Sequence, residues 1–296
     1  MYKYYKKNDW NIMNYYFESI TEFIDYIDNA QISNAFRDET LSSESRDYSW
    51  YRTNNLQEAK ELAKYGYSEN FDRFLELKDK FEKYIKLSSI KAKQFNYYIG
   101  YAPDVKAYLE GNPLSMLNKK NPRKKQIDIY YNASNLSSVS FSQIFNRGVI
   151  TLSLAENLEK LGFNVNLNIF TMSSCGNQIH YSVFKLKDTK ERLNMQKLFF
   201  PMCHPSWLRR LVFKLREVTP DITRRWTDGY GETCEEKIIR EVLELKSNDI
   251  VICTPNEMGV YGYDLIEDAN NMFDYINSNR NTEDFELPNL QKVKKL

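Results

Sequence analysis

The segment from residue 126 to residue 170 constrains the fold more than any other part of the chain. It reads as a strand (IDIYYN), a polar loop, a long helix over residues 142–161 and a second strand (FNVNLNIF), and Gly162 ends the helix. Strands that are connected through a helix in this way run parallel, because parallel strands need a long crossover. The pattern therefore predicts an open α/β sheet, in which ligands bind at the edge where the strands end.

Two further strand patterns predict where strands lie in that sheet. Residues 163–169 alternate between apolar side chains and asparagines, which predicts a strand near the edge of the sheet or one under a polar cover. Residues 250–253 (IVIC) form a short apolar run, which is typical of a central parallel strand. The remaining predicted elements of this half are a strand at residues 179–187 and helices at about 189–198, 205–218, 235–246 and 264–278.

The spacing of apolar residues divides the chain into regions. Apolar residues recur at helical spacing over 12–30, 54–65 and 70–87, which predicts a mostly helical N-terminal region over 1–118. The predicted regions that follow are a basic linker at 119–125, an α/β core domain at 126–280 with a small mixed or parallel sheet and flanking helices, and a polar, mobile tail at 281–296.

Charge and composition exclude several classes of protein. The 41 basic and 40 acidic residues give a net charge of +1, so only local patches could attract nucleic acid or a membrane surface. No apolar run approaches the ~20 residues that span a bilayer, and the first ten residues lack the apolar core of a signal peptide. The four cysteines lie far apart in the chain. We therefore expect a soluble, intracellular protein with reduced thiols and no membrane partner.

Polar residues follow the predicted strands and form the first candidate site. Asn132, Ser134 and Ser137 come after the strand at 126–132, and Thr254, Asn256 and Glu257 come after the strand at 250–253. Because the ends of parallel strands meet at one edge, these oxygens could hold a hard cation such as Mg²⁺. The alternative is ordinary loop chemistry, since serine and asparagine are common in turns.

The segment YYNASNLSS, with the helix and strand after it, resembles the metal-site end of von Willebrand factor A-like domains. That family carries Asp-x-Ser-x-Ser after its first strand and a Thr and an Asp in later loops. The resemblance covers residues 124–280 and implies a von Willebrand A-like or Rossmann-like core. Asn132 stands at the Asp position and Ser134 at the first Ser, whereas Leu136 stands at the second, with Ser137 one residue later. Without the carboxylate, we expect Mg²⁺ to bind weakly or not at all.

Three other segments are similar to a family of uncharacterised phage and prophage proteins. They are WYRTNNLQEAKELAKYGY (50–67), NRGVITLSLAENLEKLGFNVNL (146–167) and HPSWLRRLVFKLRE (204–217). The resemblance spans most of the chain. It implies that the protein comes from a phage and works in the host cytoplasm, and it implies no particular activity.

Sulfur and imidazole form a second candidate site. Cys175, His180, Cys203 and His204 could supply four zinc ligands, or a cysteine–histidine nucleophile pair. The spacing is awkward, because two of the ligands are adjacent, and no third group that would orient the histidine is evident. The alternative is that the cysteines pack as small hydrophobes and the histidines form structural hydrogen bonds.

Basic residues beside tryptophan form a third candidate site, for nucleic acid. Arginine suits phosphate contact and tryptophan suits base stacking. Alternatively, Trp207, Leu208, Leu211 and Leu215 form the apolar stripe of a helix whose arginines flank a core face. The residues of this candidate site are Arg123, Lys124, Lys125, Arg209, Arg210, Arg224, Arg225 and Trp226.

No strong catalytic or nucleotide-binding motif is present in the sequence. G-x-x-x-x-G-K-[ST], G-x-G-x-x-G, H-E-x-x-H and G-x-S-x-G are all missing. The missing motifs favour a non-enzymatic protein that binds another macromolecule, a protein more than a nucleic acid, at the strand ends, and the resemblance above implies that it is a phage protein. The alternatives are a nucleic-acid-binding protein that uses the basic segments, and a metal-dependent enzyme at the strand ends. No cofactor is established by these patterns.

Overall fold

The structure is a computed structural model that describes residues 1–82, 93–120 and 126–279. Its strands in chain order are β1 (Tyr2–Lys7), β2 (Trp10–Phe17), β3 (Lys93–Tyr97), β4 (Ala102–Pro103), β5 (Met116–Lys120), β6 (Gln126–Asn132), β7 (Asn164–Cys175), β8 (Gln178–Lys187), β9 (Glu232–Thr233) and β10 (Ile250–Ile252).

Helices flank these strands. They are α1 (Ile20–Asn29), α2 (Tyr48–Tyr51), α3 (Leu56–Tyr65), α4 (Phe71–Glu82), α5 (Val105–Leu109), α6 (Phe141–Lys160), α7 (Met195–Cys203), α8 (Phe213–Glu217), α9 (Glu236–Val242) and α10 (Leu265–Ser278). A π-helical segment, Trp207–Val212, runs directly into α8, and 3₁₀ turns lie at Ser42–Glu44 and Arg224–Thr227. No helix in the described ranges is both long and apolar enough to cross a membrane.

The predicted βαβ unit is confirmed as the centre of a mixed, seven-stranded main sheet. The strand order is β1-β2-β8-β7-β6-β10, and β9 pairs with the end of β7. β6 runs parallel to β7 on one side and to β10 on the other. Ser140 begins α6 with a capping box to Gln143, and Gly162 follows its end with a φ of 92°. The α/β fold class is therefore confirmed, and the three core strands belong to one sheet.

The positions predicted for two strands in the sheet are partly wrong. β7 lies between β6 and β8 and not near an edge. Its asparagine face is explained by the polar cover that the pattern also allowed, because Asn166 donates to Asp128 and accepts a bond from the Thr189 backbone N–H. β10 ends the sheet instead of occupying its centre, and its side chains are apolar because α10 packs against it.

The N-terminal region is not a separate helical region. The helical spacing predicted over 12–30 is wrong for its first part, because β1 and β2 form an antiparallel pair and β2 runs parallel to β8 in the main sheet. Met13, Tyr15 and Phe17 are buried, and their spacing of two residues fits one face of a strand once a neighbouring strand is present. The helices predicted at 54–65 and 70–87 are confirmed as α3 and α4 as far as residue 82.

A second, small sheet has the order β3-β5-β4. Lys119 and Lys120 lie in β5, so the first part of the predicted linker at 119–125 is a strand. Residues 121–125 and the predicted tail at 281–296 lie outside the described residues.

Three of the four helices predicted after residue 187 differ at their ends. α7 begins at Met195, six residues later than the prediction, because the Asn194 side chain caps it. The helix predicted over 205–218 is the π-helical segment followed by α8, and α9 is shorter than the predicted 235–246. The last helix, α10, agrees with the prediction.

Leu154 tests the packing of the crossover helix. It lies in α6 and is fully buried, so Leu154→Asp should lower the free energy of unfolding by ~3 kcal/mol or more, because it buries an unpaired charge. Chemical denaturation measures this change. The same substitution at Leu109, which is 78% exposed, should change stability little. Equal effects at the two positions would show that α6 does not cover the sheet.

Candidate binding site at the strand ends

A cavity of about 350 Å³ lies where β6 and β7 end. The loop after β6, the π-helical segment and the turn before β9 form its walls. Arg209 and Arg216 line it together with the polar residues Ser134, Ser137, Ser173 and Glu232. Its apolar wall consists of Trp50, Leu136, Leu208, Phe213 and Tyr230.

The loop after β6 is fixed by hydrogen bonds to the backbone. The Asn132 Oδ1 accepts a bond from the Ser134 backbone N–H at 2.9 Å, and the Ser134 hydroxyl bridges the N–H and carbonyl of Met172 in β7. Asn132 and Ser134 are buried, whereas Ser137 is exposed. The predicted residues after β6 therefore lie together, and Ser134 and Ser137 line the cavity.

The predicted residues after β10 do not join this cavity. The hydroxyl and backbone N–H of Thr254 both donate to the Glu257 carboxylate, at 2.7 Å and 3.0 Å. Asn256 lies in the same turn and is exposed. Thr254, Asn256 and Glu257 lie outside the lining because β10 is on the far side of β6. The two groups of predicted residues therefore do not line one cavity.

Arg147 joins three parts of the strand-end edge. It lies in α6 and is fully buried. Its guanidinium donates to the Tyr131 hydroxyl at 3.0 Å, to the Cys253 carbonyl at 2.7 Å and to the Asn135 Oδ1 at 3.2 Å. The edge therefore contains a fixed positive charge, which opposes a divalent cation. Sequence reasoning missed this residue, although an arginine within the apolar stretch of a helix is an unusual signal.

Arg209 and Arg216 are buried in the cavity wall. Arg209 donates to the carbonyls of Trp50 and Val139, both at 2.6 Å, and its guanidinium lies 4.4 Å from the centre of the Trp50 ring. Arg216 donates to the Tyr230 carbonyl at 2.7 Å and to the Ser173 hydroxyl at 2.9 Å. Burial lowers the pKa of each guanidinium to about 10, which leaves both charged at neutral pH.

The surface predicted for nucleic acid does not form in the described residues. Arg210 is buried and donates to the backbone carbonyls of Ser43 and Thr53. Trp226 is fully buried and donates to Gln178, so the prediction that its ring stacks on a base is wrong. Arg224 and Arg225 are exposed. Arg123, Lys124 and Lys125 lie outside the described residues.

A buried carboxylate stabilises the wall behind the cavity. Glu217 accepts bonds from the Tyr230 hydroxyl at 2.6 Å and from the backbone N–H and hydroxyl of Ser43. Burial raises its pKa, and the hydrogen bonds oppose that rise. These contacts fix Tyr230 and the turn at Ser42–Glu44, and both contribute to the lining.

The proposed zinc ligands have other environments. The His180 Nε2 lies 3.1 Å from the Thr219 hydroxyl, and the His204 Nδ1 accepts a bond from the Ser206 backbone N–H. Burial lowers the pKa of His180 well below its usual value and that of His204 to about 3, so both rings are neutral. Cys203 is buried, which raises the pKa of its thiol, and Cys175 lies at the end of β7. Across the described ranges, no three His, Cys, Asp or Glu side chains are grouped to hold a metal ion.

Comparison with known proteins assigns the chain to one protein family. The model of a domain of unknown function, DUF7192, matches residues 3–292, so the chain belongs to that family. Searches of curated proteins and of solved structures found no significant match.

Arg147→Met tests how far the strand-end edge depends on one side chain. The substitution leaves the Cys253 carbonyl and the Asn135 Oδ1 without this donor, so we expect a loss of about 3 kcal/mol in the free energy of unfolding. Chemical denaturation measures it. Arg224→Met, at an arginine whose side chain is 77% exposed, is the matched control and should have little effect. A stable Arg147→Met protein would contradict this role.

Proposed function

We propose that this protein is a phage- or prophage-encoded, non-enzymatic protein of the host cytoplasm, and that it binds a segment of a partner protein in the strand-end cavity. The observation that carries the proposal is the cavity itself, in which two buried arginines and four serines face an apolar wall. Apolar walls with a few fixed polar groups are typical of binding sites.

The polar groups of the cavity are already fixed in place. Ser134 is bonded to β7, Arg209 to two backbone carbonyls, and Arg216 to Tyr230 and Ser173. A partner therefore does not have to order these side chains when it binds, which lowers the entropic cost of association. This rigidity supports a site that is used for recognition.

The small sheet supports a protein partner. Tyr98, Ile99, Val105, Tyr108 and Leu109 surround it and are each more than 60% exposed. Clustered, exposed apolar side chains mark protein interaction surfaces, whose cores are rich in aromatic residues. A partner that also contacts this sheet would gain apolar contact area, which nucleic acid does not offer to the same extent.

The resemblances support two further parts of the proposal. The likeness to von Willebrand A-like domains supports binding by the loops at the strand ends. The likeness of three segments to phage and prophage proteins supports the origin and the host cytoplasm. The buried charge of Arg147 supports binding without a metal ion at this edge.

Adjacent serines give a matched test of the cavity. Ser137 lines the cavity, Ser138 does not, and both are exposed, so a tryptophan at either position should be compatible with folding. The tagged full chain and both variants would be used to capture partners from infected or induced cells, with and without nuclease. Ser137→Trp should lose the captured protein because it blocks the cavity, whereas Ser138→Trp should retain it. Capture that is unchanged in Ser137→Trp, or that is lost with nuclease, would contradict the proposal.

A further inference from the structure

We infer that the strand-end cavity recognises a carboxylate of its partner, an Asp or Glu side chain next to an apolar residue, through Arg209 and Arg216. This inference deepens the proposed function, on which it rests. It assigns the chemistry of the ligand.

The first argument is the charge balance of the cavity wall. Arg209 and Arg216 are 4% and 2% exposed, and the acceptors that they contact are backbone carbonyls and a hydroxyl. Neither forms an ion pair with a carboxylate in the part of the chain that the structure describes. A buried cation without an anion is costly, and an anionic group that enters the cavity would offset that cost.

The second argument is an unused donor. The Nε–H of Arg216 is buried and has no acceptor among the described residues. Nε and Nη2 lie on the same edge of a guanidinium, and this edge binds the two oxygens of a carboxylate side by side. The group that Nη2 contacts is the Ser173 hydroxyl, which also lines the cavity and can itself donate to an oxygen anion.

The third argument concerns the size and walls of the cavity. The cavity volume of about 350 Å³ is larger than one carboxylate group would fill. It lies at the lower end of the range of roughly 300–1,000 Å³ that is typical of ligand sites. Trp50, Leu208 and Phe213 provide an apolar wall beside the arginines. The site therefore fits a short segment in which an acidic residue has an apolar neighbour.

A protein carboxylate fits better than the phosphates of a nucleic acid. Continuous strands need exposed cations along a path and rings on which bases stack, but Arg210 and Trp226 are buried. Among the described residues that line the cavity, Glu232 is the one that carries a carboxylate, and it is exposed. The Glu232 carboxylate would repel a nucleic acid more strongly than a single carboxylate ligand, because a nucleic acid brings several phosphate charges near it.

Peptide selection on the full-length protein tests the inference. Random heptapeptides would be selected on immobilised protein, and the affinities of synthetic copies would be measured by titration. We expect Asp or Glu next to an apolar residue in the selected peptides. Replacing that acid by its amide should weaken binding about 10-fold or more, which is the range for a charge-assisted pair.

Three variants give controls for that measurement. Arg216→Met should weaken binding of the selected peptide about 10-fold or more. Glu232→Gln should strengthen binding about 3-fold, because it removes a repelling charge at the rim, and this gain cannot arise from misfolding. Arg224→Gln, which removes an exposed charge outside the lining, should leave the affinity unchanged.

Several outcomes would overturn the inference. The inference fails if no peptide is recovered, if the selected peptides contain no Asp or Glu, or if their amide copies bind equally well. It also fails if the affinity is unchanged in Glu232→Gln, or if a single-stranded nucleic acid of about 20 nucleotides binds more tightly than any peptide. If the selected peptides are neutral and their binding is lost in Ser137→Trp, the inference that the ligand is a carboxylate would be overturned, and the proposed function would stand. A partner that is captured equally by Ser137→Trp would remove the proposed function as well.

Discussion

The guanidinium of Arg147 connects the end of β6, the loop that follows it and the end of β10. In an open parallel sheet this edge is where loops diverge and where ligands bind. Arg147 comes from the crossover helix, so the helix that covers the sheet also orders its ligand edge. The position of Asn135, and with it one wall of the cavity, depends on this contact.

Arg147 also contributes to the positive charge of the strand-end edge. A fixed cation stands at the strand ends, and Arg209 and Arg216 add two further buried cations to the cavity wall. Asn132, which carries no charge, fits this pattern, because the described residues that line the cavity include two arginines and one carboxylate, Glu232. Such an edge suits an anionic group and opposes Mg²⁺. The proposed function and the proposed carboxylate ligand both rest on this excess of positive charge.

Local sequence patterns predicted the parts of the fold that depend on local periodicity. The α6 helix and its flanking strands have long, clear periods and caps, and the structure confirms them. The apolar residues of β2 fit either a strand or a helix, and only the pairing with β1 and β8 decides between them. The place of β10 at the end of the sheet depends on α10 for its cover, which no local pattern shows.

The candidate site was harder to predict than the fold. The loop at Asn132–Ser137 was found because polar residues follow a strand, but its cavity depends on residues far away in the chain. Arg209 and Arg216 are 77 and 84 residues downstream of Asn132, and nothing in their neighbourhood shows that they are buried. Their burial arises because carbonyls of Trp50, Val139 and Tyr230 satisfy the guanidiniums, and such contacts form only in the folded chain.

Thermal unfolding in matched salts tests most directly whether the strand-end edge carries the positive charge that favours an anion over Mg²⁺. The melting temperature would be followed while sodium succinate, magnesium chloride or sodium chloride is added at equal ionic strength. A ligand that binds the folded state raises the melting temperature as its concentration rises. The account predicts a saturable rise with succinate and no rise with magnesium beyond that of sodium chloride. A saturable rise with magnesium and none with succinate would contradict it.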